Sequence, residues 1–423
     1  MTKQRRPHGV ALVGASLAAN KGAAAMLESV ITVLPTVVGP CRYSVLSTFP
    51  AEDAERFRAN REVDVFDLGP VCLASIEIPL AAAVNLARRL HLPVRWLPRT
   101  RVRTALEDAD VVVDLAGISF SDGRGLPILV YNMLMTGLGL LYGRPTIKAA
   151  QALGPVERAS TRLAARRVLP RLRWIGARGA ATRRNLDRLE LANVTEVADL
   201  AFSLPESADL PESVESLLPT DSSFCVVMPS AVVRKLAEGD GVAYVDAVAE
   251  SIRLLRQSTG LAVVIAPHSY RPGRPEDRMN DGPVCREVAQ LLDGDPGIVL
   301  IDQDLDAAVL RRLIDRSSLL VTSRFHAMIS GLATETPTVV VGWSHKYREV
   351  LDEFGLVEFG LDHRVLADPQ AVVDLARAAL DDSDVIRERI RATLPAVQER
   401  SMDNFLAIER VLSSELRDEK VST

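Results

Sequence analysis

The sequence is poor in cysteine and in lysine. Its four cysteines, Cys41, Cys72, Cys225 and Cys285, stand far apart with no C-x-x-C pair. That spacing excludes a sequence-local zinc knuckle or dithiol redox motif, and scattered thiols in a long chain read as reduced and cytosolic. Only six of the 50 basic residues are lysine, so arginine supplies the other 44. Several signatures are absent. No G-x-x-x-x-G-K-[ST] is found, which argues against a P-loop nucleotide site. Gly137, Gly139 and Gly143 do not spell G-x-G-x-x-G and follow no strand, and neither H-E-x-x-H nor G-x-S-x-G occurs. The formal charge of −5 argues against broad nucleic-acid binding. The first residues are basic, but the apolar run 10–19 contains Gly14 and Ser16. It reads as a strand and turn, not a signal peptide. The uncharged run 125–143 approaches the ~20 residues that span a bilayer. It holds Pro127, Asn132, Thr136 and four glycines between Arg124 and Arg144, and we read it as a helix buried in an α/β domain.

Present instead are 423 residues, 48% hydrophobic and 25% charged. This is the balance of a soluble globular protein, with two or three domains at about 100–200 residues each. Short Val/Ile/Leu runs alternate with helical patterns. Candidate strands are 10–13, 43–47, 63–67, 111–114, 146–149, 174–177 and 194–197 in the first half, and 225–228, 261–266, 298–301, 319–322 and 338–342 in the second. Continuous apolar runs suit parallel strands buried on both faces. A segment with two prolines, 204–213, marks a linker. After 342 the chain reads as mainly helical, including 384–417. The expected architecture is α/β: two Rossmann-like, doubly wound domains facing a cleft, 1–205 and 206–380, with a C-terminal helical segment 381–423.

Ligands of such sheets sit beyond the carboxyl ends of strands, so the residues there carry the functional reading. Thr322 ends a strand, and Ser323, Arg324 and His326 follow it into a helix. Ser323 can cap that helix, and Arg324 and His326 fall where free N–H groups favour anions. The plainer reading has Ser323 only capping, Arg324 paired with an acid and His326 a satisfied buried histidine. Gly342 ends the next strand ahead of Ser344, His345 and Lys346, and His268 follows a third strand. Three of six histidines thus sit just past strand ends. In the first half, Asn20-Lys21-Gly22 opens a helix of small residues, and Asp114 and Asp122 bracket a polar loop. These two acids serve as base or hydroxyl acceptor, or as ordinary turn residues. The stretch 158–188 holds ten arginines against one aspartate. It reads as a solvated basic face or, more sharply, as a patch for a membrane surface or an anionic substrate.

In combination these motifs resemble the polysaccharide pyruvyl transferases. Ser323-Arg324-Phe325-His326-Ala327, then Thr336-Pro337 through Gly342 and Lys346, is similar to the family's C-terminal signature. Asn20-Lys21-Gly22 resembles its Asn-x-Gly turn, 114–122 its Gly-rich loop ending in Asp, and Gln151-Ala152-Leu153-Gly154-Pro155 its Gln-Ser-Ile-Gly-Pro stretch. Arg178, Asp199-Leu200-Ala201-Phe202 and 264–268 match further landmarks in family order, over about 10–356. The acid that commonly follows Asn-x-Gly is Ala23 here, and the usual Gly-Gly pair is Ala116-Gly117.

The resemblance implies a glycosyltransferase-B-like fold with the acceptor on the N-terminal side and the donor on the C-terminal side. It implies transfer of pyruvate from phosphoenolpyruvate onto a sugar hydroxyl pair of a glycan, forming a ketal, with no cofactor and no metal. His326 and Arg324 would be catalytic, with Ser323, Lys346, His268, Asn20, Gly22 and Asp122 binding substrate. A cytoplasmic location follows, peripheral at the inner face of the membrane if the Arg-rich stretch or a lipid-linked acceptor meets it. Homo-oligomerisation and the acceptor's identity stay open. Two alternatives stand beside this reading: a nucleotide-sugar-dependent glycosyltransferase of the same fold, and an inactive glycan-binding homologue.

Overall fold

The computed structural model describes residues 6–18, 20–205, 209–220, 223–275, 279–342 and 344–421. Two compact units emerge from the contacts. Unit 1 comprises Met1–Ala18, Met26–Leu204 and Gln398–Thr423, and unit 2 comprises Ala19–Ala25 and Pro205–Val397. Both are α/β and built on parallel sheets, which is the Rossmann-like architecture of glycosyltransferase-B-like folds. Positions 206–208 of the linker lie outside the described residues.

In unit 1 the strands are β1 (His8–Val13), β2 (Cys41–Ser47), β3 (Val63–Asp67), β4 (Val111–Asp114), β5 (Ile118–Ser119), β6 (Thr146–Leu153), β7 (Trp174–Arg178) and β8 (Val194–Val197). Their order is β3-β2-β1-β4-β6-β7-β8, with β5 beside β6. Unit 2 holds β9 (Phe224–Met228), β10 (Ala262–Ile265), β11 (Ile298–Leu300), β12 (Leu319–Thr322), β13 (Thr338–Gly342) and β14 (Gly360–Asp362), in the order β11-β10-β9-β12-β13-β14. Each order reverses beside its first strand, between β1 and β4 and between β9 and β12. Those are the switch points where such sheets open a crevice for ligands. Every residue of β4, β9 and β10 is buried, because helices cover both faces of a parallel sheet.

Beyond 342 the chain is mainly helical, with a short strand, Gly360–Asp362, added as β14 parallel to β13. Two expectations need correction. Strand β6 runs on through Gln151 to Leu153, with a register shift between Lys148 and Gln151. The C-terminal helix is one element, Ser383–Val421, whose first part belongs to unit 2 and whose residues from Gln398 belong to unit 1. The uncharged run 125–143 forms the helix Leu126–Leu141, with Asn132 and Thr136 buried. That helix is too short to be a spanning candidate; among the described residues two helical segments are long and apolar enough to cross a membrane by length and composition, Lys21–Val38, half buried, and Pro70–Arg89, with 28% buried.

Candidate functional site

The site in unit 2 gathers at the carboxyl ends of β9, β10 and β12, and its hub is Asp281. This carboxylate is fully buried. It accepts from the backbone N–H of Ala231 (2.9 Å) beyond β9 and of Ser269 (3.0 Å) beyond β10. From beyond β12 it takes the Arg324 guanidinium, through Nε at 2.8 Å and through Nη2. One acid thus ties three loops at the switch point. Burial works against the charge on Arg324, but Asp281 outweighs it and holds the guanidinium above its ordinary value. A buried charge is tolerated only when paired in this way.

Ser323 is buried but does not cap. The helix Phe325–Ala333 begins after Arg324, and the turn is set by Thr322 Oγ1, which accepts from Arg324 N–H at 3.0 Å. Nearby is the buried Tyr244, whose hydroxyl accepts from the Ser230 backbone N–H at 3.0 Å and whose pKa burial pushes well up. The Ser323 carbonyl accepts from the Tyr347 hydroxyl at 3.1 Å.

His326 lies in the first turn of that helix, half-buried, with Phe325 edge-on at 5.1 Å between ring centroids. Its imidazole rests on the backbone of Gly22. A Cβ at position 22 would fall 2.0 Å from Nδ1 of His326, so only glycine fits there. The Asn-Lys-Gly turn is fixed by Asn20, whose Oδ1 accepts from Gly22 N–H at 2.9 Å. Two motifs some three hundred positions apart in the chain therefore meet at one imidazole.

Around this contact lie further charges. Lys21 is buried with its Nζ 2.7 Å from Asp304 Oδ1. His268, 4% exposed, has a pKa well below 6.5, first through burial and then through His326, Arg324 and Lys21. Its Nδ1 and the Ser269 hydroxyl have no hydrogen-bond partner among the described residues. Lys346 reaches the start of the Phe325 helix, with Nζ over the Phe325 ring at 4.6 Å and over that of Tyr347 at 5.4 Å. Trp343 and the side chain of His345 lie outside the described residues.

Unit 1 holds the remaining motifs, each tied into its own scaffold. Asp122 Oδ2 accepts from the backbone N–H of Glu157 (2.7 Å) and Arg158 (3.0 Å), at the start of the helix Ala159–Val168. Burial opposes its charge, but these bonds and Thr161 hold its carboxyl below the usual range. Asp114 is wholly buried against Lys148, Nζ to Oδ2 at 2.6 Å. Thr136 (2.7 Å) and Gln151 (2.7 Å) also donate to it. Arg178 pairs with Asp199 at 2.6 Å and donates to the Gly117 carbonyl at 3.2 Å.

The structure gathers Gly22, His268, Ser323, Arg324 and His326 in unit 2, although the sequence sets Gly22 apart from the others in the first half of the chain. Sequence reasoning missed Asp281, Asp304 and Tyr244. Asp281 sits in a turn, Asn280-Asp281-Gly282, whose local pattern signals only a helix start. Nothing local shows that it receives Arg324, 43 positions away.

The fold has clear relatives. A putative UDP-N-acetylglucosamine 2-epimerase from Listeria monocytogenes superposes with a TM-score of 0.61 at 14% identity, covering 98% of this chain and 96% of its own. The S. aureus MnaA–UDP structure gives 0.57 at 14% identity, covering 91% of each chain. The UDP-GlcNAc 2-epimerase from Neisseria meningitidis bound to UDP-GlcNAc gives 0.56 at 11%, covering 96% and 98%. Identities this low establish the shared fold alone. No curated protein matches the sequence. The family model described as polysaccharide pyruvyl transferase matches residues 20–345, a span that begins at Asn20 and takes in the whole Asp281–His326 site. The chain belongs to the polysaccharide pyruvyl transferase family and is a transferase.

Proposed function

We propose that this protein transfers pyruvate from phosphoenolpyruvate onto two hydroxyls of a saccharide, forming a cyclic ketal and releasing phosphate. The observation that carries the reading is the seat of His326 on Gly22, beside the Lys21–Asp304 pair and His268. The donor carries a phosphate and a carboxylate. Such anions suit the start of the Phe325 helix, where free N–H groups face outward, together with the nearby cations.

The chemistry needs one proton delivered and two removed. A proton added to the methylene carbon leaves an oxocarbenium-like centre at C2. One sugar hydroxyl attacks C2 and loses its proton. Phosphate then departs, and the second hydroxyl closes the ring with loss of its own proton. One hydroxyl proton balances that on the new methyl group and the other leaves with phosphate. His326 offers an imidazole, a group that both donates and accepts a proton, and so is suited to both directions of transfer. His268 is kept uncharged by burial and offers a neutral imidazole behind it. Arg324, with Nε and Nη2 on Asp281, holds the three loops in register, and Lys346 places its Nζ over the Phe325 ring.

The test incubates the protein with phosphoenolpyruvate and a panel of free and lipid-linked glycans, reading phosphate release and the pyruvyl mass increment on the glycan. Release without a mass increment, or turnover of a nucleotide sugar with no release at all, would overturn the proposal. Binding of a glycan without any turnover would favour a recognition role.

A further inference from the structure

We propose that the helical segment Pro70–Arg89 and the loop following it form a docking face for an anionic lipid bilayer. The segment has two unlike sides. Leu73, Leu80, Ala81 and Val84 are buried in the core of unit 1 against Val102 and Leu106. Other apolar side chains of the segment and the loop after it are open to solvent: Val71 is 80% exposed, Leu86 57% and Trp96 80%, with Ile76, Leu90 and Leu92 also exposed. Within the α-helix Ile78–Arg89, which follows a π-helical turn at Leu73–Glu77, Pro79, Ala82, Leu86 and Arg89 recur at the spacing of one helical face. A helix with one side fixed in a protein core lies along the surface and does not cross a bilayer.

Charge selects the occupant. Between Leu68 and Leu106 the one acidic residue is Glu77, and it is buried. Arg89, Arg95 and Arg99 border the apolar side, all exposed. None has an ion-pair or hydrogen-bond partner among the described residues. Exposed leucines, an exposed tryptophan and unpaired arginines are what an interfacial helix offers to acyl chains and anionic headgroups. Pairing this face with a second copy would set arginines against arginines with no acid between them. The Arg-rich stretch 158–188 fits a membrane less well. Leu163 is its exposed large hydrophobic side chain among the described residues. Arg162, Arg178 and Arg183 already serve carbonyls or acids of their own unit.

The experiment floats the full chain with vesicles of phosphatidylcholine alone or mixed with phosphatidylglycerol. The expected result is binding to the mixed vesicles only, released by high salt. Exchanging Arg89, Arg95 and Arg99 together for Gln lowers the partition coefficient about 100-fold, given the attraction typical of a surface cation. Leu86→Glu with Trp96→Ser removes binding while the unfolding midpoint stays near that of the parent; the exposed arginine triple carries the test if this pair fails to fold. Equal binding to both vesicle types overturns the proposal, as does equal binding by the arginine triple. A parent dimer that Leu86→Glu turns monomeric, with no vesicle binding, assigns the face to self-association instead.

Discussion

At the residue scale, Gly22 is the most exacting position in the site. Alanine there would put a methyl carbon 2.0 Å from Nδ1 of His326, and the ring must swing away to admit it. Displacing a reacting group by about 1 Å typically costs about 100-fold in rate. Gly22→Ala should therefore lower kcat for phosphate release about that much, with an unchanged far-ultraviolet spectrum; an active Gly22→Ala would show that His326 does not act from this seat. His268 makes a different prediction. Its folded pKa lies well below 6.5, so the unfolded chain takes up a proton that the folded chain refuses. The stability tied to this group is whole above pH 6.5 and falls as pH drops toward the folded value, by about 1.4 kcal/mol per pH unit. Urea midpoints at pH 7.5 and 5.5 should differ less in His268→Asn than in the parent, whatever the absolute cost of the substitution.

At the scale of elements, β4, β5 and β6 are joined by charge as well as by backbone bonds. Lys148 and Asp114 are completely buried. Burial pushes the lysine's pKa down against the pull of Asp114. Removing one member of such a pair strands the other. Lys148→Met should destabilise the protein by about 3–5 kcal/mol. Lys148→Met with Asp114→Asn should cost clearly less than the two single losses added, as a double-mutant cycle in urea would show. This network also marks where the sequence stopped being legible. Strands 63–67, 111–114, 194–197, 319–322 and 338–342 match the structure residue for residue; 111–114, 319–322 and 338–342 are continuous apolar or β-branched runs closed by Asp114, Thr322 and Gly342. β5 and β14 escaped notice because two or three residues make no pattern. Gln151 could be recognised as a motif, but not as the donor to Asp114 at 2.7 Å. The same holds for Asp281. Strand ends locate loops, and so His268 and His326 were visible; which acid closes over them depends on a fold that local spacing does not encode.

At the scale of the whole molecule, the C-terminal helix decides what can be removed. Residues from Gln398 onward belong to unit 1, although the unit's other strands and helices end at Leu204. Ser401 donates to the Asp199 carbonyl at 2.9 Å and Asn404 to that of Ala198 at 3.2 Å, so this helix anchors the segment that follows β8. Phe405, Ile408 and Leu412 are buried. At about 1.5–3 kcal/mol per buried side chain, these three contribute an amount comparable with the about 5–15 kcal/mol that keeps a typical domain folded. A chain ending at Val397 should therefore lose unit 1. Unit 2 would retain its six strands and also Ile386, Ile390 and Leu394, which are buried within it. Limited proteolysis of the truncated chain should leave a protected fragment beginning near Pro205, whereas the full-length protein should yield no such fragment under the same digestion. Recovery of an intact, protease-resistant unit 1 from the truncated chain would show that the helix beyond Val397 covers that sheet without holding it together.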